Sequence, residues 1–153
     1  MSSSPGPGWG VVLLRVVVGG ILLAAGWDKL QSGVGEELVT GTAARIAEAP
    51  GLVRAFGENV VLVHPWFFAH LIVFGELVGG LALFLGALTR PAGFVLAFQF
   101  ANFYFAGPET AQTLALLMGT CCVTLAMLRA GRVAGADVFL DERLPRWLTW
   151  SAG

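Results

Sequence analysis

The stretch WFFAHLIVFGELVGGLALFLGAL, residues 66–88, decides the fold, because it is long enough to cross a bilayer as a helix and contains one acidic residue, Glu76. At about 1.5 Å per helical residue, Glu76 lies roughly 15 Å from either end, too deep for its short side chain to reach the headgroups. An ionisable group at such a depth is normally turned toward the interior of a helix bundle. Glu76 is therefore the first candidate for a functional residue.

The composition of the whole chain agrees with a membrane protein. Of its 153 residues, 56% are hydrophobic and 12% are charged, and the mean hydropathy is +0.77, outside the usual balance of a soluble domain. The length admits one domain of a few membrane helices. The net charge of -1, with scattered cations, excludes the clustered basic surface that nucleic-acid binding requires.

Four segments are predicted to cross the membrane: residues 9–30, 66–88, 91–106 and 110–128. Short turns join the last three, whereas residues 31–65 form a long first loop with a short interfacial helix predicted near residues 35–49. The predicted fold is an all-α, integral membrane, antiparallel four-helix bundle with a long first extracytoplasmic loop. Residues 1–128 make up this domain, and residues 129–153 are expected to form a cytoplasmic or interfacial tail.

The positive charges predict how the bundle is oriented. With an even number of spans, one side carries Arg15, Arg90, Arg129, Arg132, Arg143 and Arg146, and the other carries Lys29, Arg45 and Arg54. Under the positive-inside rule, both termini are therefore expected in the cytoplasm. The end of the tail suits either a segment that lies against the membrane surface or a plain disordered tail. Its residues are Arg146, Trp147, Leu148 and Trp150.

Polar residues within the predicted spans can be sorted by depth if the helices alternate in direction. Glu76 and Gln99 fall near the midplane, and Arg15 stands alone in the inner half. Four candidates lie nearer the outer face: Lys29, His70, Asn102 and Tyr104. Because Gln99 and Asn102 are three residues apart, they share one helical face, which we expect to point inward.

Structural roles for the charged residues stay open at this point. Glu76 could be hydrogen-bonded to Gln99 and only fix the register of the helices. Asp28 and Lys29 could form an interfacial ion pair that anchors the end of the first helix.

The sequence contains no metal, haem or nucleotide motif. The only other histidine in the sequence is His64, and these two residues do not make a convincing haem or copper site. The adjacent Cys121 and Cys122 have no metal-binding spacing and are most simply two small core residues. Electrons for any redox reaction are therefore expected from a partner subunit or directly from the substrate.

A set of residues distributed along the chain follows a known family pattern. They are Arg15, Gly19, Gly20, Gly26, Lys29, Leu30, Glu76, Leu77, Gly79, Gly80, Leu83, Leu85, Gly86, Thr89, Arg90, Gly131 and Asp137. Over residues 12–137 the chain resembles the DoxX family of small bacterial membrane proteins. The resemblance implies a four-helix bundle of the bacterial cytoplasmic (inner) membrane with a link to quinone chemistry, since the related DoxD proteins are subunits of a thiosulfate:quinone oxidoreductase.

The leading functional hypothesis is a membrane subunit of a quinone-linked oxidoreductase or respiratory complex. Quinone reduction consumes two protons and passes through anionic species, so Glu76 would move or hold a proton and Lys29 would supply positive charge. The candidates for hydrogen bonds to the quinone oxygens are Gln99, Asn102, Tyr104 and His70. The expected partners are the lipid bilayer, other protein subunits and, as one option, further copies of the chain.

Two other classes of function are considered. A non-catalytic membrane anchor or assembly subunit would use the same polar residues only to fix the bundle and would dock a larger complex through its loops. A small-solute or proton-coupled transporter would be expected to have two repeated halves, and the sequence shows none.

Overall fold

The computed structural model describes residues 7–33, 36–106 and 109–140, and these residues are helical without any β-strand. The helices are α1 (Pro7–Gln31), α2 (Glu36–Glu48), α3 (Gly51–Phe56), α4 (Pro65–Leu85), α5 (Thr89–Ala106), α6 (Glu109–Met127) and α7 (Asp137–Leu140). A π-helical turn, Gly57–Val61, follows α3, and a 3-10 turn, Ala130–Arg132, follows α6. The all-α class predicted from the sequence is confirmed.

The four long helices lie at the positions predicted for the four spans, and their bounds differ from the prediction by at most three residues. Helix α4 ends at Leu85 rather than at residue 88, because Gly86 takes a left-handed conformation (φ 69°) and its N–H bonds to the Leu83 carbonyl. Helix α5 begins at Thr89, two residues before the predicted start. Pro91 falls in the first turn of this helix, where a missing N–H costs no hydrogen bond.

Glycines bring the backbones of α1 and α4 into direct contact. A Cβ atom added to Gly19 would lie 2.6 Å from the Phe84 nitrogen and 2.8 Å from the Gly80 carbonyl oxygen. Helices α5 and α6 approach in the same way, since a Cβ atom on Gly93 would lie 2.6 Å from the Cys122 carbonyl oxygen. Small residues at such positions permit close helix packing, and the two pairs form the body of the bundle.

Gly19→Ala is therefore expected to destabilise the protein by about 1–3 kcal/mol, because the new methyl group meets backbone atoms that cannot rotate away. Denaturant unfolding in detergent micelles measures this loss. Gly20→Ala is the matched control, since a Cβ atom at Gly20 meets nothing within 4 Å. Equal losses for the two variants would contradict the close α1–α4 contact.

The bundle is apolar outside and partly polar inside. Large side chains with more than 60% exposure include Leu13, Phe67, Val78 and Phe98. The buried polar side chains, in contrast, include Arg15 and Glu76. Soluble proteins rarely expose so large an apolar surface, whereas a protein that contacts lipid must do so.

Two described helices are long and apolar enough to cross a membrane, namely Gly8–Gln31 and Pro65–Leu85. Helix α6 contributes a shorter apolar stretch, Ala111–Met127. The passage of α5 and α6 through a bilayer stays a prediction.

The first loop and the tail are both more structured than the sequence suggested. Helix α2 occupies the place of the predicted interfacial helix, and α3 and the π-helical turn follow it. The beginning of the tail folds back onto the bundle, with Ala130 and Gly131 buried. Residues 141–153, including the predicted membrane-surface residues Arg146, Trp147, Leu148 and Trp150, lie outside the described residues.

Candidate functional site

A buried ion pair joins α1 to α4. The ammonium nitrogen of Lys29 lies 2.5 Å from each carboxylate oxygen of Glu76. The Glu76 side chain is only 3% exposed, whereas that of Lys29 is 32% exposed. The carboxylate predicted to face the bundle interior does so, and its partner is the cation that the sequence placed nearer the outer face.

The two side chains meet because helical side chains lean toward the N-terminus of their own helix. Helices α1 and α4 are antiparallel, since Gly19 contacts Phe84 whereas Gly26 contacts Glu76, so the Lys29 and Glu76 side chains lean in opposite directions. Gly26 leaves room for this approach, since a Cβ atom there would lie 3.2 Å from the Glu76 Cβ and 2.9 Å from the Leu77 side chain. The charges are thus held between apolar groups.

Neither of the two structural alternatives for these charges matches the observed contacts. Lys29 pairs with Glu76 instead of forming the proposed anchor with Asp28. The Gln99 amide nitrogen donates to the carbonyl of Ile72, 3.3 Å away, and not to Glu76. Glu76 therefore has a charged partner on α1 rather than a neutral one on α5.

A cavity of about 260 Å³ lies on a different side of α4, where α5 and the first loop meet it. Its wall contains the rings of Phe56, Phe68, Phe98 and Phe103. The carboxamides of Gln99 and Asn102 also line it, as their three-residue spacing predicted. Gly75 belongs to the wall as well, and a Cβ atom there would collide with the Gln99 amide oxygen. This cavity can hold a small apolar molecule.

The six predicted site residues therefore lie in different parts of the protein. Lys29 and Glu76 form the ion pair, and Gln99 and Asn102 line the cavity. Tyr104 packs against the hydrophobic core, with its ring 5.2 Å from that of Phe105. His70 is exposed, and its Nδ1 lies 2.7 Å from the Trp66 carbonyl oxygen one turn earlier. Neither Tyr104 nor His70 is part of the cavity wall.

Arg15 holds the C-terminal segment, residues 129–140, against the bundle. The sequence indicated no polar partner for Arg15 within the spans, and its partners are backbone carbonyls of this segment. Its Nη1 donates to the carbonyls of Ala130 (2.8 Å) and Val133 (3.3 Å), and its Nη2 donates to the carbonyl of Ala134 (3.1 Å). Arg15 is only 3% exposed, so water cannot accept its hydrogen bonds. The three carbonyls accept them instead.

Asp137 completes this connection at the start of α5. Its carboxylate accepts the backbone N–H groups of Leu88 (2.5 Å) and Thr89 (3.1 Å), which have no partner within the first turn of the helix. A negative charge is also favourable at a helix N-terminus. A Cβ atom on Gly131 would collide with this carboxylate, so glycine is required there. The signal for this contact in the sequence is the presence of Gly131 and Asp137 in the family pattern.

None of the described residues forms a cluster of three or more His, Cys, Asp or Glu side chains that could hold a metal ion. The candidate chemistry is thus a buried ion pair together with an apolar cavity, in a helical bundle whose outer surface is apolar.

The DoxX family model matches residues 10–108, about two thirds of the chain, from α1 through the end of α5. The chain belongs to the DoxX family. No curated protein and no solved structure matches it.

Proposed function

We propose that this DoxX-family protein is a membrane subunit of a quinone-linked oxidoreductase in the bacterial cytoplasmic membrane. The observation that carries the proposal is the Lys29–Glu76 ion pair, buried between α1 and α4. An ion pair in such a place costs desolvation energy and is a weak way to stabilise a bundle. Perturbed or paired charges inside a membrane domain often serve proton or charge transfer, and that role accounts for this pair.

The apolar outer surface supports insertion into the bilayer. Four crossings, by α1, α4, α5 and α6, would shield the buried charges and expose Leu13, Val78 and Phe98 to acyl chains. The distribution of cations supports an orientation with both termini in the cytoplasm and the Lys29 end of α1 toward the extracytoplasmic face. Partner subunits would supply the electrons.

In the proposed function the ion pair acts as a proton store. When bound to the complex, a quinone accepts two electrons and two protons. In that role the Glu76 carboxylate would accept a proton and pass it on, and the adjacent Lys29 ammonium would balance the negative charge that remains. Because Lys29 is partly exposed, it offers the carboxylate a route for proton exchange with the extracytoplasmic side.

Glu76→Gln tests the proposal, because glutamine keeps the size of the side chain and removes the exchangeable acid. In a complex purified with its partners from the native membrane, we expect quinone-dependent turnover to fall about 100-fold while the subunit composition is unchanged. Turnover is measured as quinone reduction in proteoliposomes. Glu58→Gln, which removes the partner of the exposed Arg54, is the matched control and should leave turnover unchanged.

The same experiment separates the two classes of function. Normal turnover in the Glu76→Gln complex would contradict the proton-store role and favour a non-catalytic anchor. Failure of the complex to assemble, with normal activity of what does assemble, would assign the ion pair to assembly.

A further inference from the structure

We propose that the cavity beside α4 and α5 binds the ring of the quinone, and this inference rests on the function proposed above. Four phenylalanine rings line the cavity: Phe56, Phe68, Phe98 and Phe103. Aromatic side chains stack favourably on flat rings through offset or edge contacts. A planar, uncharged ligand is therefore better matched to this wall than a flexible lipid chain.

Two carboxamides provide the polar contacts that such a ligand needs. An amide nitrogen carries two N–H donors. The nitrogen of Gln99 uses one of them on the Ile72 carbonyl, and that of Asn102 uses one on the Phe98 carbonyl, 2.8 Å away. The second donor of each amide remains for a ring carbonyl of the ligand. The long 3.3 Å bond of Gln99 is also easily exchanged for a shorter one.

The charge around the cavity favours a neutral ligand. Among the described wall residues, the charged one is Arg45, and it is exposed at the rim. The other described wall residues carry no charge that could balance a carboxylate or phosphate. A ring carbonyl, in contrast, needs only the N–H donors of Gln99 and Asn102.

The size and the opening of the cavity indicate how a quinone would lie. Its volume of about 260 Å³ is just below the range of roughly 300–1,000 Å³ typical of pockets for drug-sized ligands, so it takes a ring head without a long tail. Leu71, Val95 and Phe98 belong to the wall and are each more than half exposed. The cavity therefore opens sideways between α4 and α5, and the isoprenoid tail extends from there into the lipid.

This site is separate from the ion pair. Gly75 lines the cavity, whereas its neighbour Glu76 faces α1, because successive residues point about 100° apart around a helix. Glu76 is thus a proton store behind α4 rather than a group that touches the ring. Gln99 and Asn102 are the residues that touch it.

Photoaffinity labelling with an azido-benzoquinone tests this placement in the protein reconstituted in nanodiscs. We expect the label on peptides that contain residues 56–61, 68–75 or 95–103, and we expect excess menadione to prevent it. Labelling confined to other helices would overturn the inference. Protection by oleate but not by menadione would assign the cavity to a lipid chain and would also overturn it.

Two variants sharpen the test. Gly75→Ala forces the flexible Gln99 amide out of its place, and Gln99→Leu removes the amide, so each should weaken menadione binding about tenfold, the loss expected for one hydrogen bond. Gly20→Ala is the matched glycine control and should bind normally. Unchanged binding in both site variants would contradict the role of Gln99.

The outcomes distinguish this inference from the proposed function. Label in the cavity with normal turnover of the Glu76→Gln complex would remove the proton-store role and leave the binding site in place. Label elsewhere with an inactive Glu76→Gln complex would remove the binding site and leave the function.

Discussion

Lys29→Met is expected to destabilise the protein by about 3–5 kcal/mol, more than Glu76→Gln, although both substitutions break the same ion pair. The difference follows from burial. Removing Lys29 leaves a carboxylate that is 3% exposed without a counter-charge. Removing the charge of Glu76 leaves an ammonium that is 32% exposed and can turn toward water, so a loss of only about 1–2 kcal/mol is expected.

A double-mutant cycle measured by denaturant unfolding in detergent tests this asymmetry. The Lys29→Met/Glu76→Gln double variant should recover most of the stability lost in Lys29→Met, because no unpaired charge remains. Arg54→Met is the control at the exposed Arg54–Glu58 pair and should change stability by less than about 1 kcal/mol. Equal losses in the two single variants would mean that the two side chains are equally shielded, contrary to the structure.

Arg15→Met is expected to cost about 3–5 kcal/mol and to release the C-terminal segment from the bundle. Three backbone carbonyls, those of Ala130, Val133 and Ala134, lose the guanidinium as a donor at once. Hydrogen exchange followed by mass spectrometry should therefore show faster exchange in residues 129–140.

Two further variants complete the Arg15 experiment. Arg15→Lys should recover only part of the lost stability, because one ammonium cannot reproduce the planar fork of a guanidinium. Arg45→Met, at an exposed arginine on α2, should leave exchange in residues 129–140 as it is in the unsubstituted protein. Slow exchange in the Arg15→Met protein would show that the other contacts of the segment, such as those of Asp137 with Leu88 and Thr89, are enough to hold it.

The helices and the burial of Glu76 could be predicted from the sequence because each depends on a local property. Long apolar runs define α1 and α4, and a charge in the middle of such a run is too costly to face lipid. The predicted end of α4 lies three residues too late, because the apolar run continues past Gly86. Glycine is nevertheless the residue that most often ends a helix.

The partners of the charged residues were missed because depth was assigned to the backbone position. Lys29 and Arg15 have long side chains that lean toward the start of α1, so their charges lie about a turn away from their own Cα atoms. A signal was present for Lys29, since Gly19, Leu22, Gly26 and Lys29 recur at helical spacing and so share the face that packs on α4.

Helical spacing also explains which cavity residues were predicted correctly. Gln99 and Asn102 are three residues apart and line the same cavity. Tyr104 follows Gln99 by five residues, which turns it about 140° away around α5, so the spacing could have excluded it. The wall contributed by α2 and the π-helical turn could not be predicted, because it depends on how a long loop folds back onto the bundle.

The contact between Arg15 and Ala130 spans 115 residues of the chain, and this separation matters during synthesis. The ribosome makes α1 several seconds before the carbonyls that receive the guanidinium exist, at about 5–20 residues per second. The first helix therefore reaches its final state only when nearly the whole chain has emerged. A nascent chain interrupted before Ala130 would leave the Arg15 guanidinium without its carbonyl partners. Such a defect would distinguish an incomplete chain from a complete one.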